Sequence, residues 1–136
     1  MGNSKSIGVA YEDQDIVGSD RIYSAGELGY TADAQGVVTQ QTSKSTTVTL
    51  NKSAGQITMN NASLAATTTV TFTLNNTYIS ANDTVIVTIS SGATAGAYNA
   101  WISGLAAGSA TIALRNTTAG ALAEAVVLNF AIIHCV

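Results

Sequence analysis

Reactive side chains are scarce in these 136 residues: five Lys+Arg, eight Asp+Glu, one His and one Cys. Three arrangements have a spacing that chemistry could use. The run Asp13-Gln14-Asp15-Ile16-Val17-Gly18-Ser19-Asp20 opens like a calcium loop, in which alternating oxygen-bearing side chains converge on a hard cation. The pattern fails at Val17, where an oxygen ligand is needed, and at Ser24, where a bidentate glutamate belongs. This segment reads as acidic surface, and no metal is expected. His134 and Cys135 are adjacent. A nucleophile and its base must face each other, whereas neighbours on a strand project to opposite sides, and the chain has no second histidine to complete a metal site. The pair reads as a strand end. Asp83 and Glu124 are the minimum for glycoside hydrolysis, which needs two facing carboxylates, but they lie far apart in sequence. No phosphate-binding glycine loop, dinucleotide fingerprint, zinc-protease motif or serine-hydrolase elbow occurs. The expectation is a protein without catalytic function and without a cofactor.

The aromatic residues offer a different chemistry. Trp101, Tyr98, Tyr78, Tyr11, Tyr23 and Tyr30 could form a sugar-binding face by stacking on pyranose rings; tryptophan and tyrosine serve equally as core and subunit-contact anchors. Five Asn-x-Ser/Thr sequons begin at Asn51, Asn61, Asn75, Asn82 and Asn116. In a chain this rich in Asn, Ser and Thr they arise by chance, and residues 1–6 lack the apolar core of a secretory signal, so they are expected to stay unmodified.

Charge divides the chain in two. Residues 1–33 hold Glu12, Asp13, Asp15, Asp20, Glu27 and Asp33 against Lys5 and Arg21, a net −4. The rest holds Asp83 and Glu124 against Lys44, Lys52 and Arg115, a net +1. Clustered Lys and Arg are absent, which argues against nucleic-acid binding, and no run of about 18 apolar residues suggests a membrane helix. The single cysteine excludes an intrachain disulfide. The polar stretch Gln40-Gln41-Thr42-Ser43 marks the boundary, dividing an acidic extended arm, 1–41, from a nearly uncharged body, 42–136.

The elements of the body follow from alternation of apolar and polar residues. Strands are expected over 46–50, 56–60, 68–74, 84–90, 97–103, 109–115 and 125–133, with Val70, Phe72 and Leu74, then Val85, Val87 and Ile89, then Ala110, Ile112 and Leu114 inward. The last strand is apolar on both faces, which marks it as central or as a subunit contact. Turn residues such as Asn60-Asn61, Asn75-Asn76, Asn82-Asp83, Ser91-Gly92 and Gly108 separate the runs, and 62–66 could form one helical turn. The pattern predicts an all-β protein: a compact antiparallel β-sandwich, jelly-roll-like, preceded by an extended N-terminal arm. Uncharged strands without proline leave sheet edges unprotected, which favours an oligomer.

Two stretches resemble a known group. One comprises Gly26-Glu27-Leu28-Gly29-Tyr30, Val38-Thr39-Gln40, Thr42-Ser43-Lys44-Ser45-Thr46, Val48-Thr49-Leu50-Asn51-Lys52 and Gly55-Gln56-Ile57-Thr58-Met59. The other comprises Ala107-Gly108-Ser109-Ala110, Arg115-Asn116, Thr118-Ala119-Gly120 and Glu124-Ala125 before a final apolar strand. Together they resemble small structural proteins of tailed bacteriophages, over roughly residues 26–133. The resemblance implies a virion module, either a head decoration (cement) protein or a module within a fibre or spike. One small sandwich with one arm leaves no room for a fibre shaft, so the expectation is a decoration protein on the outer surface of the virion, bound to the major capsid protein, and to itself as a homotrimer whose subunits cover each other's sheet edges. The runner-up is a receptor-binding or adhesion module of a tail fibre or spike. The candidate capsid contacts are Ile7, Val9, Tyr11, Asp13, Asp15, Ile16, Arg21, Ile22 and Tyr23, where apolar anchors alternate with acids; the candidate subunit contacts are Tyr98, Trp101, Phe130 and Ile132. Where relatives carry a glycine-rich linker before Val-Thr-Gln, this chain has Thr31-Ala32-Asp33-Ala34-Gln35-Gly36.

Overall fold

A computed structural model describes residues 17–135. The chain is an all-β sandwich with eight strands among these residues: β1 (Gln35–Thr39), β2 (Val48–Thr49), β3 (Ala54–Thr58), β4 (Thr69–Asn75), β5 (Thr84–Ser91), β6 (Tyr98–Ala106), β7 (Ser109–Asn116) and β8 (Val127–Ile133). A short 3-10 turn, Ala32–Ala34, precedes β1.

The strands from β1 to β6 alternate between two sheets. The first sheet has the order β1-β3-β8-β5 and the second β2-β4-β7-β6. Alternation makes β1 and β3 parallel neighbours, and likewise β2 and β4, because each intervening strand crosses to the other sheet. The remaining pairings are antiparallel. The sandwich is thus mixed at one edge of each sheet, where uniform antiparallel pairing was expected. The last two strands close it, β7 between β4 and β6, and β8 between β3 and β5.

That order explains the apolar character of β7 and β8. In β7, Ala110, Ile112 and Leu114 face the core and are at most 1% exposed. In and just before β8, Val126, Leu128, Phe130 and Ile132 do the same, while Val127 and Ala131 on the other face are only half-buried. Phe72 and Leu74 of β4, Ile57 of β3, and Met59 complete the layer between the sheets. Burial of each such side chain contributes about 1.5–3 kcal/mol, and this layer is the main source of stability. The outward residues Thr69 and Thr71 stay exposed, as the alternation requires.

Two further expectations need correction. Strand β1 lies within the stretch read as arm, yet it pairs with β3 over five residues. Its two valines, Val37 and Val38, are adjacent and point to opposite faces, so no alternation announces a strand; the pairing partner creates it. Residues 62–66 do not form a helical turn. Leu64 instead makes an isolated antiparallel bridge with Leu122. Asn116, fully buried, holds that bridge in place: its Nδ2 donates to the carbonyls of Leu64, Ala65 and Gly120, and its Oδ1 accepts from the backbone N–H and the hydroxyl of Thr118.

Candidate functional site

Residues 17–31 contain no helix or strand, and their apolar side chains lack cover. Leu28 is 94% exposed, Val17 87%, Tyr23 82% and Ile22 70%. The segment is nevertheless tied down where it meets the body. The Tyr30 hydroxyl donates to the Ile132 carbonyl of β8, Gln35 Nε2 donates to the Tyr30 carbonyl at 3.0 Å, and Lys52 Nζ donates to the Asp33 carbonyl at 2.7 Å. Leu28, Gly29 and Tyr30 line a cleft against Ile133 and His134. The segment thus joins a fixed attachment at Tyr30 and Asp33 to open apolar side chains on its N-terminal side.

Of the candidate capsid contacts, Arg21, Ile22 and Tyr23 lie on this exposed segment. Ile7, Val9, Tyr11, Asp13, Asp15 and Ile16 lie outside the described residues. The candidate subunit contacts divide differently. Tyr98, Phe130 and Ile132 are at most 5% exposed and belong to the core of a single chain, so they have no surface to offer a second copy. Trp101, on the outward side of β6, is 40% exposed. The alternation that sends Trp101 outward sends Ile102 inward, and buried Tyr98 faces away from Trp101, so no aromatic cluster forms there.

A polar cluster that sequence reasoning missed lies inside the body. Lys44 is 3% exposed, and its Nζ donates to the carbonyls of Asn60 and Glu124 at 2.5 Å each. Gln40, equally enclosed, donates to the carbonyls of Lys44 and Thr46 and accepts from the Asn60 N–H. Burial pulls the Lys44 amine below its ordinary range, a shift opposed by the nearby Glu124 charge. The Glu124 carboxyl is held low, chiefly by the Thr94 hydroxyl at 2.7 Å. The Tyr98 hydroxyl adjoins that carboxylate, and burial together with the negative charge pushes it up to about 12. Neither Tyr98 Oη nor Glu124 Oε2 has a well-formed hydrogen bond. The signal in sequence was a lone lysine among Ser and Thr, indistinguishable from a solvated one.

Asp83 organises the opposite end of β8. It accepts from the Ser80 N–H and hydroxyl at 2.8 Å each, from the Cys135 N–H at 3.1 Å, and pairs with His134 Nδ1 at 3.0 Å. These contacts, with the Ser80 N–H the largest, lower its carboxyl to about 2. The group is a clasp that fastens the chain after β8 to the turn before β5. Asp83 precedes the β5 end paired with Ile133, whereas Glu124 precedes β8 at Val127. A strand of that length spans about 20 Å. The two carboxylates of a glycosidase sit roughly 5–9.5 Å apart, so this pair cannot share a glycosidic bond. Among the described residues, no group of three His, Cys, Asp or Glu side chains is placed to hold a metal ion.

The fold and these sites define an all-β sandwich with a tethered apolar segment. Compared with family models, with curated proteins and with solved structures, the chain gives no significant match.

Proposed function

We propose that this chain is a non-enzymatic structural protein of a tailed-phage virion, a decoration protein that binds the outer surface of the major capsid protein shell and stabilises it. The observation that carries this reading is the tethered segment: four large apolar side chains, 70–94% exposed, leave a body whose own core is closed. Covering them on a neighbouring surface contributes about 1.5–3 kcal/mol per side chain. Glu27, Asp20 and Asp33 along the same segment suit a basic patch on the shell. Self-association, as a homotrimer, falls to the adjacent open edges of β1 and β2, where Val37 is 76% exposed.

The test compares the full chain with a chain lacking residues 1–28, which keeps Tyr30, Asp33 and β1. Both are added to expanded capsids that lack the protein. Saturable binding at hundreds of copies per particle, lost on truncation, is the expected result. Capsids that stay bare, or that bind the truncated chain equally, overturn the proposal.

A further inference from the structure

We propose that the outer face of the second sheet binds an acidic polysaccharide, with a hexuronate ring stacked on Trp101 and its carboxylate held by Arg115. The inference does not depend on shell binding. Strand register arranges this face in three rows: Thr69, Arg115 and Asn99; Thr71, Ala113 and Trp101; Thr73, Thr111 and Gly104. Ala113 points away from the core, between inward-facing Ile112 and Leu114, yet it is only 1% exposed. Its cross-strand neighbours on the same face are Thr71 and Trp101, which flank it on either side. Trp101, 40% exposed beside so small a residue, has the room that a stacking platform needs.

The surroundings match a sugar. Gly104 beside the indole adds no side chain, and a Cβ built there meets nothing nearer than Thr111 at 3.9 Å, so a ring can extend past the platform. The register shift between Ile102 and Gly104 lies next to Trp101, and such bulges re-aim neighbouring side chains. Strands about 4.8 Å apart, with side chains repeating about every 6.8 Å on one face, set the rows at the scale of one hexose ring. Thr69, Thr71, Thr111 and Asn99 offer hydroxyl and amide groups to sugar hydroxyls. Arg115 is the diagonal neighbour of Trp101, is exposed, and has no ion-pair partner among the described residues. None of the nine residues is acidic, so these rows carry one unopposed positive charge, complementary to a carboxylate. Trp101 is its single large apolar group, too little for the buried centre of a protein interface.

The chain has one tryptophan, so indole emission reports this site alone. The full chain is titrated with hexamers of galacturonate, mannuronate and hyaluronan, and with laminarihexaose as the neutral probe. The expected result is a saturable emission shift with at least one acidic hexamer. R115A, or raising salt from roughly 50 to 500 mM, weakens it by at least tenfold through lost ion pairing. W101A, followed by calorimetry and checked for folding by circular dichroism, abolishes the heat of binding, and W101F retains part of it. No response to any acidic hexamer overturns the proposal. So does equal binding of laminarihexaose that R115A leaves unchanged. An emission shift driven by protein concentration alone places a second copy on the face and overturns it as well.

Discussion

Replacing Lys44 by Met removes an ammonium group while keeping most of the apolar stem in place. In the wild type, that group donates to two carbonyls, of Asn60 and Glu124, at 2.5 Å each, and the residue is 3% exposed. Hydrogen bonds from a charged group contribute about 1.5–3 kcal/mol each, and two are lost together. Relief of the ammonium's desolvation opposes that loss, by an amount that can approach it. The two carbonyls then remain without this donor in an enclosed site, and Glu124 loses the cation that helps hold its carboxyl ionised. Leaving two enclosed carbonyls without a donor costs about 1–3 kcal/mol each, and the relieved desolvation offsets part of it, so K44M should lose about 2 kcal/mol, or roughly 8 °C in Tm for a domain of this size. The assay is urea unfolding followed by far-UV circular dichroism, where the midpoint should fall at constant slope. A pH series adds a signature. The folded Lys44 amine loses its proton at lower pH than the unfolded one, so in that window the unfolded chain binds more protons and stability rises with pH. Tyr98, raised to about 12, acts in the opposite sense, and its stabilisation is lost as pH climbs from about 10 to 12. K44M should keep only the falling limb. A variant that loses less than about 1 kcal/mol, or that gains stability, refutes the view that the amine fastens these loops.

Three further outcomes are expected. Gly92→Ala places a Cβ 2.3 Å from the Ala125 carbonyl oxygen at φ +70°, and should destabilise by more than the ~1–2 kcal/mol of the left-handed backbone alone, whereas Gly120→Ala, with open space around it, should stay within about 0.5 kcal/mol in the same denaturation assay. Asn116→Ala strips three donated and two accepted hydrogen bonds from the Leu64–Leu122 bridge, and should cost about 2–4 kcal/mol, with amide exchange at Leu64 and Leu122 accelerating more than in β7. Asp83 is lowered from 3.8 to about 2, so its contribution is complete above pH 4 and disappears as pH falls toward 2; D83N should flatten that part of the stability–pH curve, and an unchanged acid limb would show that the clasp carries no linkage.

Seven of the eight strands were legible, most because apolar and polar residues alternate along them and the last because its apolar run lies between turn signals. Thr69-Val70-Thr71-Phe72-Thr73-Leu74 writes its orientation directly, and the solvent faces confirm it. Strand β1 was not legible because Val37 and Val38 occupy opposite faces and its existence depends on a partner in β3. The tethered segment was legible as apolar residues mixed with acids, but its attachment through Tyr30 and Asp33 was not, since the acceptor for Tyr30 lies 102 residues away. Tyr98, Phe130 and Ile132 looked like contact residues because aromatic and branched side chains serve core and interface alike. Burial is a property of the folded surface rather than of residue type.

Composition and local alternation determine where seven of the strands form, which side of most of them is apolar, and that charged chemistry is confined to a few groups. Those are short-range consequences of a two-residue side-chain period. Sheet membership, parallel pairing at the edges and the closing positions of β7 and β8 are set by contacts between residues distant in sequence. The same holds for the enclosure of Lys44 beside Glu124 and the pairing of Ala113 with Trp101. No local pattern encodes them, because each arises only when two sheets have been brought face to face and the intervening water is gone.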